Sequence, residues 1–333
     1  MQIEIRESSG VCWLYTPTVR ALGALVIVFA IGLVFNADGA FFKWGTHRDM
    51  LRMVSEFGIL ACGMTLVIIT GGIDLSVASI LALTAVAFSL FTIHWAWPWW
   101  LVIVACLCIG VACGACSGLL VARFGIQPFI ATLAMMVFAR GVAKWISGGQ
   151  KISTAVLQPD GTYRYVGIPP VFEFIDSKVF YDNLSMVTLI FLVCLVISWV
   201  LLVKLRPGRY IYAIGGNEEA ARLSGVPVSA IKVLAYGMCG LFCAVAGLCH
   251  AAQEQQGDPE AGAAYELSAI AMVVIGGTSL AGGRGGIWLT LLGVLVIGYL
   301  EKILSINAVG EDKRLMLTGA IIVAAVLLQK TRK

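Results

Sequence analysis

Apolar runs of bilayer-crossing length recur along the chain, near 18–36, 52–70, 74–93, 98–121, 126–147, 184–203, 229–250, 266–282, 286–306 and 314–330. A helix rises about 1.5 Å per residue, so roughly 20 apolar residues cross the hydrocarbon core. The pattern predicts an all-α fold, a polytopic transmembrane helical bundle of about ten spans. The third and eighth runs begin or end in glycine-rich sequence. Each is open to two readings: a complete span, or a re-entrant piece whose irregular backbone is tolerated only where protein or a cavity covers it. The first run, Ala21–Phe35, follows Arg20 and has no small-residue cleavage site behind it, so it is expected to remain as the first span.

Loops set the orientation. With an even number of spans, both ends share a side. Lys204, Arg206, Arg209, Arg222 and Lys232 crowd one loop, and Lys330, Arg332 and Lys333 crowd the tail; parity puts both with Arg20. Lys and Arg concentrate on the cytoplasmic side of short loops, so both termini are expected there. The total of basic residues is nearly even between the sides, and the orientation rests on that one loop and on parity. The expected organisation is a cytoplasmic segment 1–17, a single transmembrane domain 18–330 with a cytoplasmic loop 205–228 and an external loop 148–183, and a tail 331–333. The external loop, with Asp160-Gly161 and Pro169-Pro170, reads as a folded connection in preference to a docking site.

Composition agrees with a bilayer and removes other classes. Apolar residues fill 59% of 333 positions and charged residues 13%, against roughly 25% charged in soluble domains. A soluble protein needs more polar surface than this; a lipid-facing one does not. Net charge is +4, and no basic tract interleaved with aromatics points to nucleic acid. Of ten cysteines, nine lie in or beside apolar runs, where Cys acts as a small hydrophobe. Cys113-Gly114-Ala115-Cys116 has a redox or metal spacing, but it sits mid-run with no second pair and no nearby His, so packing is expected. The Trp95, Trp97, Trp99 and Trp100 cluster at a span boundary reads as an interfacial aromatic belt.

Three polar or glycine-rich interruptions carry the candidate chemistry. Thr70-Gly71-Gly72-Ile73-Asp74-Leu75-Ser76 places a carboxylate in apolar surroundings, where a charge costs at least about 2.5–3.5 kcal/mol. Asp74 therefore either caps the helix that follows the glycines or contacts a translocation path. The run Ile275–Gly286, which holds Gly276, Gly277 and Ser279, is a second glycine-broken segment, and paired breaks of this kind point to a substrate path. It has no G-x-x-x-x-G-K-[ST] pattern, so nucleotide binding by this chain is not expected. The third is Gly215–Gly225: Asn217 can cap a short helix, Glu218 and Glu219 suit its positive end, and Gly225 with Pro227 stops it. A rigid two-turn helix with charges of both signs on a cytoplasmic face suits a protein partner. Gly110, Gly114 and Gly118 repeat every four residues on one face of the fourth span and predict close helix packing.

Glu219-Ala220-Ala221, followed four residues later by Gly225, resembles the EAA loop that forms the coupling helix of ABC importer permeases. The wider run Gly208–Val226 is similar to the ribose/xylose/arabinose-type (monosaccharide importer) permease family. So are Gly63–Ser76, Gln127–Leu133 and Tyr265–Ile270 leading into Ile275–Gly283, in the family's order over about 57–306. The resemblance implies an ATP-driven importer permease of the bacterial plasma (inner) membrane, multi-pass, translocating a monosaccharide. It implies an ABC ATPase subunit that uses ATP and Mg, a solute-binding protein outside, and a second permease chain; no cofactor is expected on this chain itself. Asn217, Glu218, Glu219, Ala220, Ala221, Arg222 and Gly225 would contact the ATPase. Thr70, Gly71, Gly72, Asp74, Ser76, Phe129, Gly276, Gly277 and Ser279 become candidates for the translocation path. Ala78 and Trp288 stand where the family often has smaller residues, so the sugar is not carried across.

Two other classes were weighed. An ion-driven secondary transporter needs intramembrane carboxylates, and Asp74, Glu56, Glu266 and Glu301 are the candidates, the last three at span edges. A membrane enzyme finds only His47, His94 and His250, with no H-E-x-x-H and no nucleophile elbow; the histidines read as interfacial polar groups. Ser147-Gly148-Gly149-Gln150 mimics part of an ATPase signature without any Walker motif and is read as coincidence.

Overall fold

The apolar runs become helices, several of them opened by a proline in the first turn or by a capping side chain. The structure, a computed structural model, describes residues 16–157 and 161–310, with 312–314, 316–317 and 319–320 beyond them. Helix α1 (Pro17–Val34) opens on a proline, with the Thr16 hydroxyl accepting from Val19 N at 3.4 Å. There follow α2 (Trp44–Ile69), α3 (Val77–Ser89, extended by a π turn to His94), α4 (Trp99–Arg123) and α5 (Pro128–Ser147). The stretch between α5 and α7 holds a hairpin of β1 (Ala155–Leu157) and β2 (Tyr163–Tyr165), then α6 (Pro170–Asp176), β3 (Lys178–Val179) and β4 (Leu184–Ser185). Helix α7 (Met186–Trp199, with a π turn to Lys204) leads to α8 (Arg206–Gly216) and α9 (Glu218–Leu223). The chain continues as α10 (Val228–Glu254), α11 (Tyr265–Gly276) and α12 (Ile287–Ile306).

Eight of these segments are long and apolar enough to cross a membrane: α1, α2, α3, α4, α5, α7, α10 and α12, with α3 and α7 counted through their π turns. The third run is therefore long enough for a complete span. The eighth is not: α11 has 12 residues, so it rises about 18 Å, short of a hydrocarbon core of about 30 Å. The tenth run, 314–330, falls almost wholly outside the described residues.

Helix α10 is the axis of the bundle and packs on α4, α2 and α3. Contact there is backbone to backbone. A Cβ on Gly110 would lie 2.3 Å from Gly240 O, one on Gly114 2.2 Å from Tyr236 O, and one on Gly118 2.9 Å from Val233 Cα. The four-residue glycine repeat thus does what its spacing predicts. Buried residues make up 83% of the α2 window but only 17% of that of α1, which puts α2 in the centre and α1 at the rim.

Three expectations change. Helix α2 starts at Trp44, eight residues before the apolar run, so Glu56 sits in mid-helix and not at a span edge; it is buried, with Oε1 2.9 Å from His250 Nδ1. His250 is therefore half of a buried pair, not an interfacial group. The Lys204–Lys232 stretch is not one loop around a single short helix, because α8 precedes it as an amphipathic helix that buries Ile211 and Ile214. Cys108 and Cys116 face outward from the bundle; Cys113 is half-buried. Among the described residues no cluster of three or more His, Cys, Asp or Glu could hold a metal. The stretch between α5 and α7 is folded, with Phe172 of α6 buried and stacked on Phe88 at 4.7 Å.

Between α10 and α11 the backbone is irregular and runs along α3. Gly257 packs against Ala85 and Val86, and Gly262 against Ala78, near the other end of that helix. Its polar groups are satisfied by protein, as membrane depth demands. Gly257 exchanges two 2.8 Å backbone bonds with Ile152, and the Arg140 guanidinium donates to Pro259 O at 2.6 Å and Ala261 O at 2.8 Å.

Replacing Gly114 by Ala is expected to lower the apparent melting temperature in detergent, at a cost on the order of 1–3 kcal/mol from overpacking. Gly141→Ala, with nothing within 4 Å of the new methyl, leaves it unchanged. Arg140→Met is expected to cost a further ~1–3 kcal/mol by stranding the two carbonyls, read by the same melting experiment.

Candidate functional site

Three glycine-bearing segments far apart in sequence meet at one end of the bundle. The first is the break between α2 and α3. Thr70 Oγ1 donates to Val67 O at 2.7 Å, and Gly71 turns the chain at φ 82°, a left-handed conformation suited to glycine. Asp74 is wholly buried, and its Oδ1 accepts from Ser76 N at 2.9 Å and Ser76 Oγ at 2.5 Å. The carboxylate thus organises the entry to α3 from two residues before the cap; the cap residue is Ser76, so Asp74 is not itself the helix cap that the sequence suggests. Ser76 itself is the cap residue and is buried.

The second segment follows α11. Ser279 N donates to Arg284 O and Gly282 N to Ser279 O, both at 3.0 Å, which closes a compact turn. Gly283 N donates to Ile69 O at 2.9 Å, a direct backbone bond to the last turn of α2. The third segment is α8. A Cβ on Gly215 would stand 1.8 Å from Ile69 O and 2.4 Å from Gly283 N, and one on Gly282 2.9 Å from both Gly71 N and Gly215 O. Tyr212 Oη donates to Gly285 O at 3.0 Å and ties α8 to the same turn. Only glycines allow three backbones to touch this closely.

Helix α9 projects from this junction. Asn217 Oδ1 accepts from Ala220 N at 2.9 Å, and Gly225 at φ 82° ends the helix, as the cap and stop residues predict. Ala221 is buried; Glu219, Ala220 and Arg222 are exposed. Leu223 at the tip is 82% exposed, an apolar group that sequence reading passed over. Glu218 is held at both ends, with Arg222 at 3.2 Å and with Lys232 of α10 at 2.6 Å. Behind that pair lies a cavity of about 210 Å³, lined by Thr70, Gly72, Val121, Glu218, Lys232 and Tyr236 among others.

Not every candidate joins this junction. Phe129, in the first turn of α5, is 54% exposed and faces away from the bundle. Gly276 packs on α12, where its Cβ would meet Leu289 O at 2.0 Å, and Gly277 packs on Pro17 at the start of α1. Of the two departures from the family pattern, Ala78 is buried under Gly262, and Trp288 points outward. Lys232, Tyr236 and Tyr212 belong to the site and were not singled out from the sequence. The i, i+3 spacing of Gly208, Ile211 and Ile214 was the available signal for α8 and its Tyr212.

Gly215→Ala is expected to separate α8 from α2 and expose the 205–228 region to limited proteolysis, while Gly216→Ala, with open space around the new methyl, leaves the digestion pattern unchanged.

A family model described as a branched-chain amino acid transport system / permease component matches residues 47–326. The ribose import permease protein RbsC of Escherichia coli (strain K12) is 39% identical over 315 residues, covering 94% of each chain. That of Bacillus subtilis (strain 168) is 38% identical over 315 residues, covering 93% of this chain and 92% of its own. The fructose import permease protein FrcC of Rhizobium meliloti is 34% identical over 325 residues, covering 95% of this chain and 86% of its own. No solved structure matches with significance.

Proposed function

We propose that this chain, which belongs to the branched-chain amino acid transport system / permease component family, is the membrane-spanning subunit of an ATP-driven ABC importer of a monosaccharide. The observation that supports the reading most is α9: a capped, six-residue helix carrying exposed Glu219, Arg222 and Leu223, braced against the broken helices of the core. Such a piece is rigid enough to receive a push and is joined to elements that can pass it on.

In this reading α9 lies on the cytoplasmic side with both termini, in a bacterial plasma membrane, and residues 217–225 seat in a groove of a separate ATPase subunit. ATP and Mg are used by that subunit, and this chain carries no cofactor. A soluble binding protein delivers the sugar from the other side, and a second permease chain completes the path. The glycine junction of Thr70–Ser76, Ile275–Gly286 and α8 is then the inner hinge, where close backbone contact allows small rigid-body shifts. The relatives are import permeases named for ribose and for fructose, so the substrate class is a pentose or hexose.

Glu219→Lys tests the coupling assignment. Inserted at the wild-type level in cells that depend on this importer, the variant should lose uptake of radiolabelled ribose or fructose by at least about tenfold, equivalent to roughly 1.4 kcal/mol. Wild-type uptake by that variant, or wild-type uptake that survives ATP depletion and collapses with an ionophore, would overturn the reading.

A further inference from the structure

We infer that the Glu218–Lys232 ion pair is the link that carries movement of α9 into the membrane core, through Tyr236 to the break between α2 and α3. The inference rests on the importer reading and adds the residues that would transmit its motion. Helix α9 is short and offers the spans few handles. Among the described residues, its one side-chain hydrogen bond to a span is Glu218 Oε2 with Lys232 Nζ, at 2.6 Å. The two ends of Glu218 differ in surroundings. Its partner on α9, Arg222, is well exposed, as surface helix pairs usually are, whereas the Lys232 side chain is only 13% exposed. A cation withdrawn from water holds its counter-ion firmly, because losing that partner strands a buried charge.

The next step inward lies on one helix face. Lys232 and Tyr236 are four residues apart on α10, so their side chains point the same way, and both line the cavity behind the pair. Tyr236 is buried and closely confined. Its carbonyl oxygen presses on Gly114 of α4, and its Oη stands where a Cβ on Gly72 would come within 2.4 Å. A shift of α10 at Lys232 therefore meets Gly72, in the break that ends α2, with no soft side chain between. The cavity lies between α9 and that break. Side chains of α9 thus reach the core across it through the ion pair, beside the backbone contact that α8 makes at Gly215.

The test is a double-mutant cycle on the assembled complex in proteoliposomes, with the ATPase and the binding protein present and radiolabelled ribose and fructose supplied in parallel. Uptake is normalised to complex recovered by size exclusion, and ATP hydrolysis is measured in the same samples. Glu218→Gln and Lys232→Met are each expected to lower sugar moved per ATP by about tenfold, and the double variant to fall no further, since both remove one interaction. The charge swap Glu218→Lys with Lys232→Glu is expected to regain at least about a third of that ratio, which a merely destabilised protein would not do. Losses that multiply in the double variant, a charge swap no better than the singles, or wild-type coupling in Lys232→Met would overturn the link. A wild-type complex that neither imports sugar nor hydrolyses ATP would instead contradict the importer reading itself.

Discussion

The contact between α4 and α10 decides what the rest of the bundle can do. Lipid gives apolar helices no hydrophobic reason to associate, so they must gain from close packing, and side chains set how close they come. Gly110, Gly114 and Gly118 remove that spacer on one helix, and Gly240 removes it on the other. The two backbones then touch. With α10 fixed against α4, its remaining faces are available to α2 and α3, where Gly63 meets Cys239 and Gly247 meets Thr84 and Leu81 in the same manner. Three spans, α4, α2 and α3, are thereby held against α10 with little room for sliding.

Such a frame makes broken helices tolerable. An interrupted backbone in hydrocarbon exposes N–H and C=O groups that water cannot reach. Each interruption here finds partners within the protein. Asp74 serves the entry to α3 locally, Arg140 of α5 serves the irregular run before α11, and Gly283 N serves the buried end of α2 at Ile69. Two of these breaks, after α2 and after α11, meet where the helices join α8 and α9, so irregular backbone of the core is in touch with the exposed short helix. That coincidence is what a transmission site requires: a stiff lever on one side and segments that can change direction on the other.

Much of this was legible in the sequence, and the remainder was hidden for identifiable reasons. Span positions followed from apolar runs because membrane burial demands them, and α9 followed from Asn217, Gly225 and Pro227 because caps and stops act locally. The start of α2 was misplaced because Arg48, Asp49 and Arg52 interrupt the apolar pattern there. The two arginines are accommodated by the stretch between α5 and α7, with Arg48 donating to Asp182 O and Arg52 paired with Asp176, and no local rule reveals such partners. Helix α8 was read as loop because Pro207 and Gly208 look like breakers; the proline sits in the first turn, where it is welcome, and Gly208 lets the helix lie against the Leu201 and Leu202 carbonyls. The meeting of Gly71, Gly215 and Gly282 joins positions far apart along the chain and was not visible from periodicity or caps.

The proposed role of α9 is to pass the work of a separate ATPase to the bundle. It is tested most directly by solubilising the chain mildly from its native membrane, identifying what accompanies it, and reconstituting the isolated assembly with ATP on the α9 side. The account predicts a co-purifying subunit with Walker motifs and sugar import that stops when ATP hydrolysis is blocked. A chain that emerges without an ATPase under conditions that preserve other complexes, and that moves sugar down an ion gradient alone, would contradict it.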